Sequence, residues 1–318
     1  MKKIDAHMHV NFSSFDAERI IAYLDRHGFD RCWLHTWEEI DPPVPSIYEP
    51  LSLEEMLEAH ARYPDRIVPF YAPDPGSATF RKDLEQAMQR GVRGCGELKV
   101  TLRWSDPAIE PYLQTIDALN LPLMFHMEEP RMQYVRKTDA FFEKVFDHLV
   151  NGRFNGVPGY YIRQLAGKTG LFARKLKNNM VSFPGYLYDF DGLEQRLEQF
   201  PGIRFIAHGP DFWNNLAADR HPKYKYQKGR FKQFGIIDRL LSGYPNLYCD
   251  LSGNSGFIAL SRDRRQSKRF LEKHHRKVLF GTDNTGRDYE GLIHSLGLDK
   301  DMLEQVFSGN ARRVLENG

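Results

Sequence analysis

Two periodicities alternate along this chain. Short runs rich in β-branched and aromatic residues are each followed by a longer stretch in which apolar residues recur at helical spacing. The short runs are IDAHMHV (4–10), CWLHT (32–36), IVPFYAP (67–73), VRGCGELKV (92–100), LPLMFHM (121–127), RFIAHG (204–209), LYCDLSG (247–253) and VLFGTDN (278–284). Between them lie DAERIIAYLDRHG, LSLEEMLEAHARYP, TFRKDLEQAMQRG, PYLQTIDALN, GLEQRLEQFP, IIDRLLSGYP and SKRFLEKHH, several closing on Gly or Pro as helices do. Strand and helix in alternation imply a parallel sheet, and eight such units imply closure into a (β/α)8 TIM barrel of the α/β class. No low-complexity linker divides residues 1–318, so one barrel is expected.

One connection is too long for a barrel unit: about 75 residues separate the fifth strand from the sixth. An insertion over 131–200 is therefore expected to carry its own helices, FFEKVFDHLVNG being the clearest. It leaves the C-terminal end of a strand, the face where barrel enzymes build their sites, so it reads as a lid over that face. A structural or oligomer-forming excursion is the alternative.

The chemistry sits at the strand ends. His7 and His9 are two residues apart, so in a strand both imidazoles share one face, with Asp5 at the same parity one layer deeper. Spending two inward positions on histidine is costly unless a divalent cation or a buried hydrogen-bonded network engages them. His126 closes the fifth strand, His208 the sixth and Asp283 the eighth. A barrel brings these ends around one axis. Imidazoles with a carboxylate suit zinc, with manganese, iron and nickel as other candidates.

DAHMHV at the start, His at strands five and six, and FGTDN at strand eight resemble the amidohydrolase superfamily. AHGPDFW, YPNLYCDLSGNSG, VLFGTDN and the terminal GNARRVL are similar, more narrowly, to its amidohydrolase-related (amidohydrolase 2) branch of metal-dependent TIM-barrel hydrolases and nonoxidative decarboxylases. The resemblance implies His7, His9, His126 and Asp283 as ligands of one divalent metal, with His208 as base or substrate-polarising group. Binuclear relatives use a carboxylated lysine or a glutamate on strand four, where GCGELKV offers Glu97 and Lys99. Glu97 could bridge two metals, Lys99 could be carboxylated, or the two could form an ion pair beside a mononuclear site. One zinc ion is favoured, with a second as the alternative.

A zinc ion with an open position lowers the pKa of its water toward about 7. Asp283 would take that water's proton, and attack on an ester, lactone or amide carbonyl would follow, with His208 assisting the oxyanion and the leaving group. A nonoxidative decarboxylase of an aromatic or dienoic carboxylic acid would use the same residues. A non-catalytic ligand-binding barrel is the reading from another class.

Charge refines the substrate. Arg131, Arg136 and Lys137 follow strand five, Lys168, Arg174, Lys175 and Lys177 lie in the insertion, and Lys223, Lys225, Lys228, Arg230 and Lys232 follow strand six. Convergence of a few of these on the cleft would hold an anionic substrate; otherwise they are solvated surface. Arg131, Lys99 and Asp250 are the named candidates for substrate contact, Asp250 alternatively orienting a ligand histidine. Glu128, Glu129 and His35 are weaker ones. Tyrosines at 160, 161, 186, 188, 224 and 226 interleave with the cations, but no RNA-binding motif accompanies them, and a net charge of +2 does not call for nucleic acid.

With 41% hydrophobic and 27% charged residues and no apolar run of roughly 20, the composition is that of a soluble protein without a membrane helix. MKKIDAHMHV lacks the apolar core of a signal peptide. Cys32, Cys95 and Cys249 are widely spaced in strand-like segments, which suits reduced core thiols in the cytoplasm. A homo-oligomer is a further expectation from the resemblance.

Overall fold

The computed structural model describes residues 2–38, 50–134, 180–220 and 226–316. Eight parallel strands stand where the short runs predict them: β1 Ile4–Met8, β2 Arg31–His35, β3 Ile67–Phe70, β4 Cys95–Leu98, β5 Leu123–His126, then β8 Phe205–His208, β9 Leu247–Asp250 and β10 Val278–Leu279. Between β5 and β8 two strands, β6 Arg131–Tyr134 and β7 Met180–Phe183, pair antiparallel. FFEKVFDHLVNG, the basic positions 136–177 and Lys223 and Lys225 lie outside the described residues.

The parallel strands form a three-stranded sheet β1-β2-β3 and a five-stranded sheet β10-β9-β8-β5-β4. At one seam a bridge pairs Phe70 with Gly94, and at the other Ala6 N donates to Phe280 O at 2.8 Å. Helices α1 Ala17–His27, α2 Leu53–Arg62, α3 Phe80–Gln89, α4 Glu110–Ala118, α5 Phe190–Gln199, α6 Pro210–Asn214, α7 Ile236–Gly243, α8 Gly253–Ser261 and α9 Arg264–His274 follow the strands. Aspartates or serines cap several: Asp16 accepts from Arg19 N, Ser52 from Glu55 N and Asp189 from Gly192 N. α1 ends on Gly28 at φ 66°, the left-handed C-terminal position that glycine takes without strain.

Two apolar clusters divide the strand residues by face. Cys32, Leu34, Leu123, Phe125, Phe205, Ala207, Leu247 and Cys249 pack toward the helices. Ile4, Ala6, Trp33, Phe70, Met124, Ile206, Tyr248 and Leu279 fill the barrel interior. In β2, β5, β8 and β9 the next inward position after this apolar layer is polar: His35, His126, His208 and Asp250. The barrel is thus an apolar plug beneath a polar floor. The three cysteines are buried and free, as expected of core thiols.

The parity assigned to Asp5 is corrected here. Pairing of β1 with β2 shifts register between Asp5 and Met8, so Ile4 and Ala6 face inward while Met8 faces the helices. Asp5 is therefore not a deeper member of the His7–His9 row. It accepts from Thr282 N at 3.0 Å and Thr282 Oγ1 at 2.7 Å, tying β1 to the strand-eight loop. β4 shifts register similarly between Cys95 and Leu98, both of which pack outward, and Glu97 then stands among the inward histidines.

Candidate metal centre

Glu97 occupies the middle of the polar floor. Its Oε2 lies 3.6 Å from both His7 Nε2 and His9 Nε2, and its Oε1 lies 2.7 Å from His126 Nδ1 and 3.8 Å from His208 Nε2. His7 Nε2 and His9 Nε2 are 3.1 Å apart, and Asp283 Oδ1 is 3.2 Å from His9 Nε2. His7, His9, His126 and Asp283 all stand at this end of the barrel, but no close donor group among the described residues is made of these four alone. Instead, donor groups form from His7, His9 and Glu97, and from Glu97, His126 and His208. Glu97 stands between the two because the register shift in β4 carries its carboxylate to the barrel axis.

The outer ring nitrogens are held from behind. His9 Nδ1 donates to His35 O at 2.8 Å. His7 Nδ1 pairs with Asp250 Oδ2, and His208 Nδ1 with Asp250 Oδ1 at 2.7 Å. Ser252 Oγ completes this knot, 2.9 Å from Asp250 Oδ2 and 3.1 Å from each Nδ1. A histidine that donates through Nδ1 presents the lone pair of Nε2, so the backing fixes the tautomer that can bind a cation. Asp250, expected among the substrate contacts, is fully buried behind its two histidines. Each of its two oxygens meets a histidine, His7 on one side and His208 on the other.

Electrostatics favour a cation. Burial pushes His7 toward neutrality, but Asp250 and Glu97 outweigh it and hold the imidazole well above its ordinary value. Glu97 would be raised by burial, yet Lys99 and His126 keep it well below the carboxylate range. Burial likewise opposes ionisation of Asp283, while its hydrogen bond to His9 and the charge of His7 hold it low. His9, by contrast, is lowered by burial. The carboxylates thus draw positive charge to this floor, here a proton on His7, and imidazoles interleaved with ionised carboxylates are a donor set that fits a divalent metal, which would displace that proton.

Lys99 and Arg131 are engaged with carboxylates. Lys99 Nζ lies 2.8 Å from Glu97 Oε2 and 3.3 Å from the centroid of the Trp37 ring, the ion-pair arrangement among the three open to strand four. Arg131 pairs with Glu128 and lies over Phe183. Glu129 lies 3.5 Å from Arg220. His35 is a buried member of the floor, its Nε2 on Ala6 O at 3.0 Å. Arg131 and Lys99, the expected substrate contacts, thus each meet an internal carboxylate in this structure.

A cavity of about 510 Å³ opens above the floor, lined by His126, His208, Asp283, Tyr226, Gly253 and Arg287 among others. Asp283 and His208 flank Gly253: a β-carbon there would stand 3.2 Å from both Asp283 Oδ2 and His208 Cε1. Asp283 (φ 55°) and Asn284 (φ 51°) both adopt left-handed backbone, a conformation that Asp and Asn reach more readily than most residues through short polar side chains. Asn284 secures the turn by accepting from His9 N at 2.8 Å and donating to His9 O at 2.7 Å. Ser252, Asn284 and Arg287 received no role from sequence, although LSG, TDN and TGR all follow strand ends.

A model of the amidohydrolase family matches residues 180–316, which contain His208, Asp250 and Asp283, and the resemblance read from the sequence holds over that range. No curated protein matches the chain by sequence. Among solved structures, an uncharacterised TIM-barrel protein from Bordetella bronchiseptica is similar at TM-score 0.58 and 12% identity, covering 100% of this chain and 99% of its own. A probable 2-pyrone-4,6-dicarboxylic acid hydrolase from Acinetobacter baumannii with citric acid bound aligns at TM-score 0.53 and 14% identity, over 99% of this chain and 100% of that one. A dihydroxybenzoic acid decarboxylase from a Polaromonas species, with bound manganese and 2-nitroresorcinol, aligns at TM-score 0.52 and 17% identity, over 99% and 97%. These structures share a TIM-barrel fold with this chain, and by name they include both a hydrolase and a decarboxylase.

Proposed function

We propose that the protein is a metal-dependent hydrolase of an ester, lactone or amide bond in a small carboxylate-bearing compound. The observation that carries this reading is the pair Asp283 and His208, side by side on the wall of one cavity next to the cation-binding donors. His7, His9 and Glu97 would hold the metal with Asp283 beside them. When bound, a zinc ion supplies Lewis-acid activation of a water and of a carbonyl oxygen.

The chain's own residues supply the rest. Asp283, held ionised and facing the cavity, takes the proton of the attacking water. His208 presents Nε2 to the cavity because Asp250 holds its Nδ1, so once protonated at Nε2 it is placed to steady the developing oxyanion and pass that proton to the leaving group. The lid expected over 131–200 falls largely on positions 135–179, which lie outside the described residues.

Zinc-loaded protein should be offered small lactones together with aromatic and dienoic carboxylic acids, while acid release and CO2 are both followed. Hydrolysis predicts one carboxylic acid formed per turnover without CO2. Release of CO2 from the acids, with the lactones untouched, would instead assign decarboxylation.

A further inference from the structure

Among the described residues, the cleft carries one cationic side chain that meets no carboxylate. Arg287 lies in the loop after β10 and lines the same cavity as His126, His208 and Asp283. It is the one cationic side chain among the described residues that does so. Its Nε donates to Asn254 Oδ1 at 2.9 Å, and the guanidinium carbon stands 5.5 Å from the Phe257 ring centroid. These contacts set the orientation of the guanidinium without neutralising it. No carboxylate among the described residues comes within ion-pair distance of it, whereas Arg131, Lys99 and Arg220 each meet one.

We infer that Arg287 is the specificity-determining residue for substrate charge, binding a carboxylate of the substrate remote from the bond that reacts. This rests on the proposed metal-dependent reaction in the same cavity. A planar guanidinium fixed through Nε keeps both Nη groups for a carboxylate. One end of the substrate then meets the metal-binding floor and the other meets Arg287, so the class selected is the dicarboxylate or the carboxylated lactone rather than the neutral ester. The anion-binding loop is thus the one after the eighth strand.

The test is the affinity of zinc-loaded protein for glutarate and for pentanoate, which is similar in length and lacks the second carboxylate, measured by calorimetry with metal content checked in each sample. The wild type should prefer glutarate by about 30-fold, in line with a hydrogen-bonded charged pair. Arg287→Gln should bring the ratio of the two affinities close to one, and Arg287→Lys should leave it intermediate, because an ammonium keeps the charge without the fork. A wild type with no preference, or a ratio unchanged in Arg287→Gln, would overturn the assignment. If the preference depends on Arg287 and yet no lactone is hydrolysed, the carboxylate anchor stands and the hydrolase reading falls.

Discussion

Asp250 spends both carboxylate oxygens on histidines, His7 through one and His208 through the other. It therefore orients a predicted metal ligand and a predicted acid–base group together. Asparagine at 250 can accept from one of these rings, but its amide nitrogen would face the other ring's N–H. Asp250→Asn should weaken zinc binding by about 10- to 100-fold, as loss of such an outer partner does, while the barrel remains folded. Competition against a chelator of known affinity measures this, and an unchanged affinity would show that the backing does not matter. From the sequence, His7 and His9 were legible by their spacing, and His126, His208 and Asp283 by their places at strand ends. The shared role of Asp250 was not, because it depends on three strands distant in sequence arriving at one point. Arg287 was equally silent, since its meaning lies in the absence of a neighbouring carboxylate.

Elements with strong amphipathic periodicity, such as α1 and α7, stand within a residue or two of where the pattern puts them. The departures have local causes. α8 begins GNSG, which reads as loop by propensity, yet its close packing needs those small residues: a β-carbon on Gly256 would lie 2.2 Å from Leu251 O. Register shifts in β1 and β4 break the two-residue alternation that parity arguments assume, which is why Asp5 was misplaced and Glu97 became central. At the helix layer, α7 is tied to α9 through Asp238, which meets His274 Nε2 at 2.8 Å and Lys273 Nζ at 2.9 Å. Burial raises Asp238, but these bonds outweigh it and hold the group below its ordinary 3.8. A depressed folded-state value means that the stabilisation is complete above 3.8 and is lost as pH falls through the lower folded value. The difference in urea midpoint between wild type and Asp238→Asn should therefore be largest near neutrality and shrink as pH drops beneath 3.8. A difference that does not vary with pH would contradict this account of the contact.

Across the whole molecule, the barrel explains why residues from seven to 283 can act together: the polar ends of its strands share one layer above an apolar interior. The family match begins at β7 and covers His208, Asp250, Asp283 and Arg287, while His7, His9, Glu97 and His126 come from the preceding part and join them through the fold. Fold class was readable from eight strand-like runs because each parallel strand, covered on both faces, needs a dense apolar segment. Substrate was not readable, because it is set by loops whose side chains meet only in three dimensions. The central claim is that this layer binds a divalent cation. Elemental analysis of protein purified without chelators, beside the His7→Ala/His9→Ala double variant, tests it most directly. The account predicts at least one zinc or similar divalent ion per wild-type chain and loss of that ion from a folded variant. A wild type that stays metal-free even after reconstitution, or a double variant that keeps its full complement, would contradict it.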